Sequence, residues 1–249
     1  MSRGKLKIHL LLFIIFAIPI CCAVANEWDD VSFYNLQPGR EYQISMGSGF
    51  SVNKNTIVTN KHVVEQCRNI AIRGAVKPTL AKLILVDKEM DIAGLYSPKS
   101  SKKVPYLRNN HDEVKVGDIL FSVGYPLERG ESGEFIVKQA KVLKTKTDVK
   151  SGYEDIEFTD NVNHGNSGGP LLDKNSSLVG IVTAKLTYKY DDPDIPLKHV
   201  ALAIRVEGLI EFLKKNDIYY ASSSSYDIFT NYHVDKIAKD YIVNIHCVH

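Results

Sequence analysis

From Glu41 to Ala203 apolar and polar positions alternate in short runs separated by Gly, Asn and Asp. The runs Tyr42–Met46, Thr56–Thr59, Asn69–Arg73, Thr79–Val86, Asp91–Tyr96, Asp118–Gly124, Phe135–Leu143, Asp155–Thr159 and Leu178–Leu186 have strand length and strand composition. Many short strands at near-regular spacing predict an all-β barrel or sandwich. One stretch departs from the alternation. In Val206–Lys215 the apolar residues Leu209, Ile210, Phe212 and Leu213 recur at helical spacing, which predicts a helix directly after the last strand. Leu127–Glu134 is charged, contains glycine and falls midway along the β-rich region, so residues 127–134 read as a linker between two sub-barrels, 26–126 and 135–215. After Asn216 a Tyr- and Ser-rich stretch leads into a mixed end, and residues 216–249 read as a tail too short for another domain.

The first 25 residues change the picture of the termini and of the charge. Arg3, Lys5 and Lys7 precede an apolar run, Leu10–Ile20, and Ala23-Val24-Ala25 follows. That layout is a secretory signal peptide with cleavage before Asn26. The apolar run is shorter than the roughly 20 residues of a spanning helix and Pro19 interrupts it, so no stable membrane span is expected after cleavage. Ile20 before Cys21 disfavours a lipid-anchor cysteine. Removal of residues 1–25 leaves 28 basic against 29 acidic side chains, and the formal charge falls from +2 to −1. No basic face remains to point to nucleic acid. The mature chain, periplasmic or secreted, keeps Cys67 and Cys247, which permit one disulfide or stand as two buried thiols. Zinc held by Cys67, His246, Cys247 and His249 is disfavoured, because the spacings match no usual ligand pattern. No metal and no cofactor is expected.

The strongest local signal is Asn163-His164-Gly165-Asn166-Ser167-Gly168-Gly169-Pro170. A nucleophilic serine needs a tight turn that presents its hydroxyl, with backbone N–H groups converging on the carbonyl oxygen that becomes negative. Flanking glycines permit that geometry. Upstream, Asn60-Lys61-His62 follows the strand Thr56–Thr59, and Asp91 enters an apolar strand. Histidine, acid and serine in this chain order match the chymotrypsin-type arrangement. Gly165-x-Ser167-x-Gly169 also fits the nucleophile elbow of α/β-hydrolases. There a helix would follow the serine, with the acid and histidine after it; here Pro170 and the strand-like Leu178–Leu186 follow. Asp87 and Asp112 read as solvated turn residues, and His111, His164, His199, His233, His246 and His249 as structural.

The blocks Gly47–Phe50, Thr59–His62, Asp91–Ala93, Thr159-Asp160 and Gly165–Pro170 resemble trypsin-like serine proteases of the bacterial HtrA/Deg branch, over about Gly47 to Lys215. The resemblance implies two six-stranded antiparallel β-barrels with a closing helix, an acyl-enzyme mechanism and polypeptide substrates. It implies His62 as general base, Asp91 as its orienting partner and Ser167 as nucleophile, with the N–H groups of Gly165 and Ser167 as the oxyanion hole. Asn166 stands where digestive trypsins carry an acid, so activation by a new N-terminus is not expected. The substrate pocket is expected from Asn161, Val162, Ala201, Leu202 and Ala203, with a preference for small or medium apolar residues. Asp160 reaching the pocket would favour basic residues, and His199 acidic ones. Relatives in this branch carry a peptide-binding PDZ module after the protease, for which residues 216–249 are too few; they are expected to fold back on the first barrel, fixed by Cys67–Cys247. Two other readings stay open: a trypsin-fold binding or regulatory protein without turnover, and a secreted effector protease.

Overall fold

The structure, a computed structural model, describes Tyr34 and residues 36–37, 41–108, 113–129, 133–147, 154–159, 162–188, 198–223 and 231–249. The proposed signal segment and the expected pocket residue Asn161 lie outside these residues.

The strands are β1 (Ile44–Ser51), β2 (Thr56–Asn60), β3 (Asn69–Gly74), β4 (Thr79–Asp87), β5 (Ile92–Tyr96), β6 (Leu107–Arg108), β7 (Ile119–Gly124), β8 (Ile136–Thr147), β9 (Glu154–Thr159), β10 (Pro170–Asp173), β11 (Leu178–Tyr188), β12 (Lys198–Arg205), β13 (Ser222–Ser223) and β14 (Ile242–Val248). The helices are α1 (Lys61–Val64), α2 (Val206–Lys215) and α3 (Asn231–Ala238). The fold is mostly β. One barrel closes in the order β1-β14-β3-β4-β5-β2. The other runs β10-β7-β8-β9-β12-β11 and closes through the β10–β11 pairing, with β6 added alongside β11 and β13 alongside β6. Each barrel has six antiparallel strands, and α2 spans the residues its apolar spacing predicts.

β14 is the main departure from the reading by sequence position. The end of the chain forms the strand between β1 and β3, in register from Ile44↔Val248 to Phe50↔Ile242 on one side and from Asn69↔Val248 to Gly74↔Val243 on the other. The first barrel is therefore built from β1–β5 together with a strand far from them in sequence. Without β14 both β1 and β3 would present an unpaired edge. Val243 and Ile245 join the interior with Ile57, Ile70, Ile72 and Leu95, and Cys67 and Cys247 form a disulfide at a Cα–Cα distance of 5.1 Å.

A second interior, including Leu120, Val142, Ile156, Phe158, Leu171 and Ala203, fills the other barrel. Between the two lies the largest cluster, where Phe50, Val58 and Ile92 meet Phe121, Val123 and Ile181, with Phe212 of α2 and Val234 of α3 against them. The shared apolar seam fixes the orientation of one barrel on the other, and the polar groups below sit at its edge.

Candidate active site

His62 lies in the short helix that leaves the end of β2, and Asp91 lies in the turn that enters β5. β2 and β5 pair directly, Asn60 opposite Ile92, so both residues sit at the same end of the barrel. His62 Nδ1–H donates to Asp91 Oδ2 at 2.7 Å, and the His62 backbone N–H donates to Asp91 Oδ1 at 3.0 Å. Asp91 holds a left-handed backbone, φ 55°, which Asp tolerates better than most residues. Its carbonyl accepts from Lys61 N–H and from the Asn60 amide, which maintain that conformation. Burial pushes the Asp91 carboxyl up, but the hydrogen bonds and charge of His62 and the Thr183 hydroxyl outweigh it and hold the group below its usual range.

Ser167 comes from the second barrel, in the loop before β10. Its carbonyl accepts from Ser48 N–H at 2.8 Å, and Gly168 presses on Ser48 and Thr59 so closely that no side chain would fit there. The loop is thus docked on the strand that leads to His62. Thr183 joins the acid to the serine: its hydroxyl donates to Asp91 Oδ2 at 3.0 Å, and its carbonyl accepts from Ser167 Oγ at 3.3 Å. The β11–β12 register shifts between Val182 and Ala184, and a bulge of this kind re-aims the side chain it carries. No motif announces Thr183; only the fold brings it to Asp91, 92 residues away.

The peptides around Ser167 are held from behind. His164 carbonyl accepts from Leu127 N–H at 2.7 Å, and Asn166 carbonyl accepts from Gly169 N–H at 3.0 Å. N–H and C=O of a trans peptide point in opposite directions, so the N–H groups of Gly165 and Ser167 are turned to the other side. Neither has a hydrogen-bond acceptor among the described residues. Gly165 has φ +95°, and a side chain there would strike the Tyr125 carbonyl and the Leu127 amide. Leu127, read from sequence as the start of a linker, thereby shapes the loop next to the serine.

A cavity of about 620 Å³ opens beside Ser167, lined by Leu127, Val162, His164, Val182, Ala184 and Lys185 among others. Val162, one of the residues expected in the substrate pocket, is among the lining residues. Ala201, Leu202 and Ala203 are not among the residues that line this cavity; Ala201 and Ala203 are buried in the second barrel's interior. The cavity wall is Val182–Lys185, paired with β12 one strand away. Among the described residues no group of His, Cys, Asp and Glu could hold a metal ion.

The sequence pattern of the Trypsin-like peptidase domain matches residues 47–181. The chain belongs to that family. This trypsin-like peptidase is similar to the periplasmic pH-dependent serine endoprotease DegQ of Escherichia coli, 35% identical over 154 residues, which cover 60% of the chain and 33% of DegQ. It is similar to serine protease HTRA1 of Xenopus laevis, 33% identical over 153 residues, 59% of the chain and 33% of that protein. The chain thus spans about a third of the length of these curated relatives. Among solved structures, the active form of the Rv3671c protease from M. tuberculosis matches with a TM-score of 0.55 at 21% identity, over 72% of this chain and 82% of that one. The serine endoprotease from Yersinia pestis matches with a TM-score of 0.53 at 22% identity, over 69% and 61%. These two share the fold.

Proposed function

We propose that this trypsin-like peptidase is a serine endopeptidase that cleaves polypeptides through an acyl-enzyme, with Ser167 as nucleophile, His62 as general base and Asp91 as its orienting partner. The observation that carries the reading is the pair of N–H groups at Gly165 and Ser167 that have no acceptor among the described residues, together with a histidine whose Nδ1 is bound by the carboxylate that Thr183 links to Ser167. With Nδ1–H on Asp91, His62 Nε2 is the nitrogen left to take a proton. In the first step Ser167 Oγ bonds to the substrate carbonyl carbon, its proton passes to Nε2, and the carbonyl oxygen becomes an oxyanion that the two N–H groups receive. Collapse breaks the C–N bond, and Nε2 returns the proton to the leaving amine. Water then repeats the sequence against the acyl-enzyme. Asp91 keeps the tautomer and stabilises the imidazolium, and Thr183 keeps Asp91 in place.

Leu127, Val162, Val182 and Ala184 give the adjoining cavity apolar walls, which supports small or medium apolar side chains on the acyl side of the cut. The named similarity to periplasmic endoproteases supports export; among the described residues no helix is long and apolar enough to cross a membrane. One observation favours a barrel without turnover: the Ser167 hydroxyl is turned to the Thr183 carbonyl rather than to His62. Unliganded catalytic contacts often tighten only with substrate, and one rotation about χ1 moves the hydroxyl.

Digestion of an unfolded test protein, with sequencing of the new termini, tests the proposal. Cuts after apolar residues that vanish in Ser167→Ala are expected. Equal cleavage by both proteins, or none by either, contradicts it.

A further inference from the structure

We propose that Ser48 is a positioning residue, whose hydroxyl on the first barrel holds the loop of the second in the arrangement that presents the Gly165 and Ser167 N–H groups. The inference rests on the endopeptidase reading above. Ser48 is fully buried, and each of its polar groups is used. Its N–H donates to Ser167 carbonyl at 2.8 Å and its carbonyl accepts from the Thr59 hydroxyl at 2.7 Å. Its own hydroxyl donates to Gly165 carbonyl at 2.7 Å and accepts from Tyr125 N–H at 2.8 Å. Three of these four contacts cross the seam.

The peptides they fix are those that matter for the hole. Gly165 carbonyl belongs to the peptide between the two proposed donors, so a hydroxyl on that oxygen fixes the turn connecting Gly165 N–H to Ser167 N–H. The second contact, from Tyr125, anchors the segment whose Leu127 N–H holds His164 carbonyl. Loss of the hydroxyl leaves Gly165 carbonyl and Tyr125 N–H buried without a partner. Rotation of the Gly165 peptides toward other partners then removes a donor from the hole. Ser48 touches no reacting atom; it acts through Gly165 and Ser167, and its effect falls on the charged transition state rather than on substrate binding.

The test compares wild type, Ser48→Ala, Ser48→Thr and Ser167→Ala on a peptide substrate, below the melting temperature of each. Ser48→Ala is expected to lower kcat about 10- to 100-fold, less than the roughly 10²–10³ lost with a donor itself, and to leave KM within about threefold. A peptide trifluoromethyl ketone, whose hemiketal oxygen sits in the hole, should weaken by the same factor as kcat/KM. Binding of the parent peptide to Ser167→Ala and to the Ser48→Ala/Ser167→Ala double variant should match. Ser48→Thr, which keeps a hydroxyl, should recover most of kcat. If the alanine variant does not fold, Ser48→Cys, close in shape but a weak donor, carries the same comparison. Wild-type kcat and unchanged ketone affinity in the alanine or cysteine variant overturn the role of Ser48 alone. A wild-type protein that neither turns over nor binds the ketone overturns the endopeptidase reading instead.

Discussion

Replacing Cys67 and Cys247 together with serine removes the bond that ties β14 to the residues just after α1. The two cysteines are 180 residues apart, and in the chain-entropy description closing a loop of that length stabilises the fold by about 5 kcal/mol. β14 keeps its backbone pairing with β1 and β3 and all seven of its residues are buried, so the barrel should still form, with a lower melting temperature. At roughly 2–4 °C per kcal/mol for a domain of this size, the fall is about 10–20 °C. Circular dichroism melts of wild type and double variant, each with and without a phosphine reductant, measure it. Reductant should move wild type to the variant's value and leave the variant unmoved. Neither cysteine touches the site, so kcat well below both melting points should be equal. A double variant melting within about 3 °C of wild type would refute the reasoning that the cross-link, rather than strand pairing alone, secures the closing strand.

Other outcomes follow from the polar groups of the site and the first barrel. Asp91→Asn should lower kcat about 10⁴-fold by inverting the His62 tautomer, and Thr183→Val about 10-fold, the worth of one hydrogen bond to a charged group; steady-state kinetics with KM little changed would bear out both, and wild-type rates in Asp91→Asn would contradict the assignment. His246, bonded through Nδ1 to the Tyr34 hydroxyl, is pushed down to about 4 by burial and the Arg73 charge. A depressed imidazole is neutral when folded, so its stabilisation is complete above the unfolded value near 6.5 and is lost as pH falls from there toward 4, about 3 kcal/mol in all. Denaturant melts from pH 7 to 4.5 should show this slope in wild type and a flatter one in His246→Asn; equal slopes would exclude His246 as the cause. The Asp91 carboxyl, held below its usual range, adds a separate loss only at more acid pH, as its folded-state value is crossed.

Much of this was legible in the chain because it is local. Alternation gives the strands, and Leu209, Ile210, Phe212 and Leu213 fix α2 without reference to the rest of the fold. His62, Asp91 and Ser167 carry recognisable neighbours, and the geometry brings His62 onto Asp91 and Ser167 onto Thr183, which also bonds Asp91. β14 was read as tail although Val243, Ile245 and Cys247 alternate with Asn244 and His246; its partners lie some 170–200 residues earlier, and a seven-residue strand says nothing of such a distance. The cavity residues Val182–Lys185 of β11 were not singled out, and the expectation went to Ala201–Ala203 of β12, because small apolar residues suit a pocket and a barrel interior equally. Thr183, Leu127 and the Ser48 hydroxyl act through long-range hydrogen bonds, and no spacing in the sequence encodes those.

The central claim is that Ser167 is a nucleophile activated by His62 and served by the two backbone N–H groups. Incubation of the folded protein with a fluorophosphonate, followed by intact-mass measurement and peptide mapping, tests it most directly. One adduct per chain, located on Ser167, blocked by prior heat denaturation and strongly slowed in His62→Ala, is the predicted result. A folded protein that takes up no reagent, or takes it up elsewhere, would contradict the account.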